Sequence, residues 1–433
     1  MTRLVNVIYC LWVIVFGDFI GWSNPYGNIL GTLGNPNFIG SFLGMFSAVI
    51  LAQLFSKKLL SVTTALYFLL LCLTLFLIYK SHAVQGRVLF IAAFFISFFF
   101  FLRSRFESRL PSVIHLGISV ALSIMGVLGA LQKGPLSGLV YKESVSLRGQ
   151  YWYAGFQMGK DNPLSGVGFD AYGDWYRFAR RSSALIRPGV DITSNTAHNV
   201  FIDLFAFGGF PLLLAYLGLI ALVLKSIFSY SRRHRAFDPV FVALVAAWLC
   251  YILQSIISIN QIGLAIWGWA LGGGLIGYCR LRAIAEPEHA KPRRNVKFKE
   301  PHQQKIFSPG LKAGVATVIG LLISVPPLSA DMKWRAAQIS RNATQVSESL
   351  EPSYMNPVSS FRYVSTVGTF IDSQLPELAL RYTEKATKFN PRSFESWRLF
   401  TYIETSTESQ RVTARRKMRE LDPLNPTIKG AKP

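Results

Sequence analysis

The sequence predicts an all-α fold: a polytopic α-helical integral membrane protein with about nine transmembrane helices and a small helical C-terminal domain outside the cytoplasm. Long apolar segments, few charged residues and basic residues between alternate segments lead to this prediction. Of the 433 residues, 51% are hydrophobic and 16% are charged, whereas soluble domains carry about 25% charge. The net charge of +22 is typical of basic cytoplasmic loops and of attraction to anionic membrane lipids. No basic nucleic-acid-binding motif stands apart from the apolar segments, so no nucleic-acid partner is expected.

The apolar segments predict the individual membrane spans, because a membrane-crossing helix needs about 20 mostly apolar residues. The first segment follows Met1-Thr2-Arg3 and has no small-x-small cleavage site, so we expect a retained anchor and not a signal peptide. The predicted spans lie near residues 4–20, 37–55, 59–79, 88–102, 112–131, 199–224, 238–258, 262–280 and 310–330.

Basic residues orient these spans, since Lys and Arg collect in cytoplasmic loops. Four basic clusters fall on the side of the N-terminus, at 57–58, 103–109, 225–235 and 280–299. The opposite side receives a long loop at about 132–198 and everything after Ala330. The predicted organisation is a membrane domain over 1–280, a basic cytoplasmic linker over 281–309, a further span over 310–330, and an extracytoplasmic helical domain over 331–433.

Small residues and prolines in the C-terminal domain suggest a tetratricopeptide-like helical hairpin. Ala379, Ala386 and Pro391 have offsets of 0, 7 and 12, which fits two closely packed helices with a proline after the second. Pro423 follows Pro391 by 32 residues, near the repeat period of about 34. An irregular helical tail is the alternative.

The long external loop is rich in arginine, whose planar fork of donors pairs bidentately with phosphate. Arg148 precedes Tyr151-Trp152-Tyr153, aromatic residues of the kind that anchor a loop at the lipid headgroups. A solvated basic loop balanced by aspartates is the alternative for any single arginine. The candidates for binding an anionic substrate in this loop are Arg148, Arg177, Arg180 and Arg181.

His198 and Asn199 lie where the chain returns to the membrane. A neutral imidazole can take a proton from an incoming hydroxyl. A structural capping role is the alternative, with N-cap candidates at 193–196. The turn at 31–37 has two interpretations. It either serves only to lead into a helix, or it presents Asn35 and Asn37 to a polar ligand. The four cysteines have no CxxC spacing and no nearby pair of histidines, so neither a zinc site nor a disulfide framework is expected. No cofactor is predicted.

Taken together, five motifs resemble the O-antigen ligase superfamily, which includes O-antigen ligases, O-antigen-type polymerases and pilin oligosaccharyltransferases. They occur in the order of the family and cover most of residues 31–280. They are GTLGNPNFIGSF at 31–42, RGQYWYAG at 148–155, NPLSGVGFDAYG at 162–173, TAHNVFIDLFAFGGFP at 196–211 and QSIISINQIGLAIWGW at 254–269.

The resemblance implies a membrane glycosyltransferase with a polyprenyl-diphosphate-linked glycan as donor, without a metal or a nucleotide sugar. It implies that Arg148 and His198 are the essential arginine and histidine of the family. A further family arginine, in a Ser-Arg-Gly turn, is displaced here to Arg87 in the segment SHAVQGR at 81–87. Family members usually have several more helices before the Gly-Asn-Pro-Asn turn, so we expect a shortened member or a trimmed start.

The sequence therefore predicts transfer of a lipid-linked oligo- or polysaccharide to an acceptor hydroxyl of a glycan, lipid or protein, at the outer face of a bacterial cytoplasmic membrane. Arg148, with Arg87 or the arginines at 177–181, would hold the diphosphate. His198 would orient or deprotonate the acceptor, and Asn199 would hold the imidazole or the sugar. Polymerase and protein-glycosylating activities of the same superfamily remain open, as do a lipid-linked glycan transporter and a non-catalytic scaffold.

Overall fold

The computed structural model describes residues 2–20, 24, 27–57, 61–130, 133–135, 137–140, 147–285, 308–340, 342–351 and 354–428. Within these ranges the chain forms helices and no strand. This confirms the prediction of an all-α, polytopic membrane protein.

Among the described residues, five helices precede the long loop, and three short or medium helices lie within its described part. The first five are α1 (Thr2–Phe16), α2 (Pro36–Ser56), α3 (Val62–Lys80), α4 (Val84–Arg105) and α5 (Leu110–Ala130). The loop contains α6 (Ser137–Val140), α7 (Arg148–Asp161) and α8 (Tyr172–Ala179), followed by a short π-helical turn, Leu185–Gly189.

Nine helices follow the loop in the part of the chain that the structure describes. Four are apolar: α9 (Val200–Arg233), α10 (Pro239–Ser255), α11 (Ile262–Ala285) and α12 (Pro309–Ser340). The others are α13 (Ala343–Glu348), α14 (Ser360–Asp372), α15 (Pro376–Phe389), α16 (Phe394–Leu399) and α17 (Glu408–Leu421).

Each of the nine predicted spans corresponds to a helix. In the part of the chain that the structure describes, seven helices are long and apolar enough to cross a membrane. The other two, Leu4–Phe16 and Pro239–Ser255, are shorter apolar helices. The main difference is at α12, which continues to Ser340 beyond the predicted end at residue 330.

The chain divides into two compact units, and their boundaries differ from the predicted domains. The first unit comprises 1–172 and 194–289, and the second comprises 173–193 and 290–433. The predicted external loop is therefore shared: its segment 173–193 belongs to the same unit as the C-terminal helices.

The core of the first unit is built around α2, which packs against α4 and α10. Ile39, Phe42 and Met45 on α2 are almost completely buried. Glycine permits the close approach of α4, because a methyl group on Gly86 would lie 2.6 Å from the carbonyl oxygen of Gly40. Such small-residue contacts are a usual way for membrane helices to associate.

The second unit contains two pairs of packed helices, α14 with α15 and α16 with α17. Val367 and Phe370 of α14 share a core with Ala379 of α15. Ala379 and Ala386 are fully buried, as expected for small residues between closely packed helices. The tetratricopeptide assignment itself stays a prediction.

Candidate functional site

The candidate site of the first unit lies where two helices, α7 and α9, pack side by side. A methyl group added at Gly155 would lie 2.7 Å from Cγ2 of Ile202, and one at Gly159 would lie 2.4 Å from Cδ1 of Phe205. Positions later in α7 therefore contact positions later in α9, so the two helices run parallel. Their N-terminal ends, and with them Arg148 and His198, lie on the same side of the pair.

The backbone around His198 forms a constrained turn. His198 has a φ of 54°, in the left-handed region that non-glycine residues seldom adopt. Its amide donates to Oγ1 of Thr196 at 3.1 Å, and the preceding amide of Ala197 donates to Oδ1 of Asp203 at 2.6 Å. The carboxylate of Asp203 is 4% exposed, so a buried group fixes the turn that presents the imidazole.

Asn199 is the N-cap of α9. Its Oδ1 accepts hydrogen bonds from the amides of Phe201 at 3.0 Å and Ile202 at 3.2 Å. The cap therefore lies at Asn199, after the segment 193–196 in which the sequence placed the cap candidates. Since Asn199 is also buried, this geometry favours a positioning role beside His198 over direct contact with sugar.

Arg148, Tyr151 and His198 form a cluster at the N-terminal ends of α7 and α9. The ring centroids of Tyr151 and His198 are 5.8 Å apart. Burial, and then the nearby charge of Arg148, lower the pKa of His198 below its usual value, so the imidazole is neutral at pH 7 and can accept a proton. Burial also lowers the pKa of Arg148, but arginine remains charged at any ordinary pH.

The cluster also receives positive potential from the backbone. Arg148 is the first residue of α7, and its N-cap, Leu147, makes no side-chain capping hydrogen bond. The amides in the first turn of a helix carry a partial positive charge and bind anions. The parallel start of α9 at Val200 adds a second helix dipole of the same sense. The arrangement can therefore hold an anionic group next to a neutral base.

A glycine-rich loop joins α7 to a break in α9. Gly208 and Gly209 have non-helical backbone angles. This break leaves the carbonyl groups of Ala206 and Phe207 to accept hydrogen bonds from the amides of Val167 at 2.8 Å and Gly168 at 3.1 Å. The segment NPLSGVG at 162–168 thus supplies hydrogen bonds to the backbone of a broken membrane helix. Each backbone group left without a hydrogen bond inside a membrane would cost several kcal/mol.

Arg177 and Arg180, predicted to bind substrate, are buried in the second unit and paired with carboxylates. Oδ2 of Asp422 accepts from Nη2 of Arg180 at 2.6 Å and from Nη1 of Arg177 at 3.3 Å. Nη2 of Arg177 also donates to Oε1 of Glu395 at 2.8 Å, and both guanidinium groups donate to the carbonyl oxygen of Val190. This geometry argues against the predicted phosphate contacts: the two arginines join the loop segment 173–193 to the C-terminal helices.

The remaining predicted site residues are spread over the first and second units. Asn35 caps α2, because its Oδ1 accepts from the amide of Asn37 at 2.8 Å, which favours the turn over the ligand interpretation. Asn37 is exposed. Arg87 is exposed in the first turn of α4, and Arg181 is exposed in the second unit. Among the described residues, no hydrogen bond joins Arg87 to Arg148 or His198.

Sequence reasoning missed Tyr151, Gly155 and Gly159 of α7 as parts of the site. Tyr151 was interpreted only as a lipid anchor, although its ring lies beside His198. Gly155 and Gly159 have the small-xxx-small spacing of close helix contacts, and that signal was available. Asp203 is a charged residue within the predicted span 199–224, but its partner, the amide of Ala197, has no signature in the sequence.

Comparison with known proteins agrees with the motifs. A family model described as O-Antigen ligase matches residues 63–217, a range that contains Arg148 and His198 and three of the five motifs. No curated protein matches the chain at a significant level. The family match confirms the resemblance to the O-antigen ligase superfamily and supports a glycosyl-transferring activity in polysaccharide assembly. The C-terminal helices lie outside the matched range.

Proposed function

We propose that this protein, whose residues 63–217 match the O-antigen ligase family model, transfers a polyprenyl-diphosphate-linked oligo- or polysaccharide to an acceptor hydroxyl at the outer face of a bacterial cytoplasmic membrane. The observation that carries the proposal is the cluster of Arg148, Tyr151 and His198. It combines a fixed cation, two helix N-termini and a neutral imidazole.

The proposed division of roles follows from charge. Cleavage of the bond between the sugar and the diphosphate develops negative charge on the leaving group, and fixed cations stabilise that charge. Arg148 and the first turn of α7 are suited to this role. His198, neutral at pH 7 because burial and Arg148 lower its pKa, would orient the acceptor hydroxyl and take its proton. Asn199 and Asp203 would keep the imidazole in place through the turn they fix.

Contacts within the second unit support the proposed orientation of the chain across the membrane. The loop segment 173–193 and the C-terminal helices contact each other through Arg177, Arg180 and Asp422. They therefore lie on the same side of the membrane, which requires an even number of crossings between them. Four apolar helices, α9 to α12, separate the two segments, in agreement with a cytoplasmic N-terminus and an extracytoplasmic tail.

The test is glycan transfer in membranes with a polyprenyl-diphosphate oligosaccharide, comparing the wild type with Arg148→Ala and His198→Ala. We expect Arg148→Ala to weaken donor binding. His198→Ala should retain the donor but lose about 10²–10⁴ in transfer rate, the usual contribution of a general base.

The chain offers matched controls. His82 is an exposed histidine that, like His198, lies in a turn with positive φ, 53°, and Lys160 is a cation at the opposite end of α7. His82→Ala and Lys160→Ala should transfer at nearly the wild-type rate. If His198→Ala also does so, the catalytic assignment is wrong. If the wild type only moves the lipid across the bilayer, the transporter is the better account.

A further inference from the structure

A cleft between the last turns of α9 and α11 has the features of a lipid-headgroup site. Its volume is about 470 Å³. It lies at the opposite end of α9 from His198, so it is separate from the proposed catalytic cluster. The basic loop that follows α9 places this end on the cytoplasmic side by the charge rule.

The cleft is strongly cationic. Lys225, Arg233 and Arg280 line it, and no Asp or Glu does. All three side chains are exposed. Among the residues that the structure describes, no carboxylate lies within ion-pairing distance of any of the three. The nearest acid along the chain, Asp238, accepts hydrogen bonds from the hydroxyl groups of Tyr230 and Tyr278 and is not part of the lining.

Charge and apolar surface are arranged along the helices as an anionic lipid requires. Leu222 and Ile276 line the cleft two to three turns before the ends of their helices, where an acyl chain would run. Arg233 and Arg280 lie nearer the ends of these helices, and Lys225 lies about one turn after Leu222. Ser226 and Ser229 add hydroxyl groups on the same face of α9, at the i and i+3 positions.

We propose that this cleft binds the phosphate headgroup of an anionic phospholipid of the cytoplasmic leaflet. Basic pockets between membrane helices on that side are suited to such headgroups. The chemistry recognised is a phosphate monoanion attached to an acyl chain, so free phosphate alone lacks half of the contacts.

The experiment is native mass spectrometry of the purified full-length protein, titrated with phosphatidylglycerol, with phosphatidylcholine and with inorganic phosphate. The variant is Lys225→Gln/Arg233→Gln/Arg280→Gln. A charge-matched control is Arg105→Gln/Arg109→Gln/Arg232→Gln, which removes three exposed arginines that do not line the cleft.

We expect the wild type to retain phosphatidylglycerol in preference to phosphatidylcholine. Each cation near the surface contributes about a fivefold gain, so the cleft variant should bind phosphatidylglycerol roughly 100-fold more weakly, and the control much less so. Equal loss in the control would overturn the proposal in favour of diffuse surface attraction. Retention of inorganic phosphate as strong as that of phosphatidylglycerol would also overturn it, as would no loss in the cleft variant.

Discussion

The pairing of Asp422 with Arg177 and Arg180 makes a quantitative prediction for Asp422→Asn. The substitution keeps the shape of the side chain and removes its charge. Arg177 would retain Glu395 at 2.8 Å, but Arg180, whose side chain is fully buried, would lose its only carboxylate partner among the described residues. Removing one member of a buried pair costs about 3–5 kcal/mol, because an uncompensated charge stays behind.

The lower end of that range applies here, since Arg180 keeps its hydrogen bond to the carbonyl oxygen of Val190. A loss of about 3 kcal/mol corresponds to a roughly 100-fold change in an equilibrium constant. Hydrogen exchange reports such local opening directly. In the full-length protein in nanodiscs, we expect the amides of 173–193 and of the last turn of α17 to lose about 100-fold in protection.

Asp191→Asn is the matched control. Asp191 lies in the same segment and pairs with Arg398 at 3.4 Å, but its side chain is 74% exposed. Exposed pairs contribute about 0–1 kcal/mol, so protection should change by less than about fivefold. The reasoning is refuted if Asp422→Asn leaves the protection of 173–193 within twofold of the wild type.

Two further predictions concern the first unit. Transfer is proposed to need neutral His198, and burial and the charge of Arg148 lower the pKa of this histidine. The midpoint of the acid decline in kcat/KM should therefore lie below about pH 6.5, the usual pKa of histidine. Arg148→Gln should move this midpoint to higher pH, while burial, the larger cause, keeps it below about 6.5. Gly209→Ala should disrupt the break in α9, because φ is +63° and the new methyl group would lie 2.2 Å from the carbonyl oxygen of Pro163; we expect reduced yield of folded protein in detergent. Gly277→Ala, where the methyl group meets open space, should be tolerated.

Each of these predictions has a contrary result. An acid limb that is unchanged in Arg148→Gln would mean that the charge of Arg148 does not reach the titrating group. A Gly209→Ala protein with wild-type yield and melting temperature would mean that the loop at 162–168 can move away from α9.

The sequence predicted the membrane helices well because hydropathy is a local property. The segment at 37–55, for example, became α2 with nearly the same ends, helped by Asn35 as cap and Pro36 as first residue. The proximity of Arg148 and His198, in contrast, is not a local property. Fifty residues separate them, and only the family resemblance joined them in advance. Their proximity depends on the contact of Gly155 with Ile202, which residue spacing alone does not reveal.

Arg177 and Arg180 show why the partners of the loop arginines could not be predicted from the sequence. A guanidinium group suits phosphate and carboxylate equally well, so residue type leaves the partner open. The partner here, Asp422, lies 245 and 242 residues away along the chain. In the sequence, Asp422 stands out only because it precedes Pro423, so nothing in the pattern of residues links it to Arg177 or Arg180.

The placement of 173–193 changes how the scaffold hypothesis must be tested. That hypothesis predicts loss of activity on deleting 331–433 but not on changing Arg148 or His198. Yet the deletion also removes Asp422, Glu395 and the helices that hold 173–193, and this segment continues directly into the turn at 194–198. A transferase should then lose activity too. Point variants therefore distinguish a transferase from a scaffold where the deletion does not. Asp422→Asn, compared at the expression level of the wild type, tests the contribution of the segment 173–193. His198→Ala separates catalysis from scaffolding.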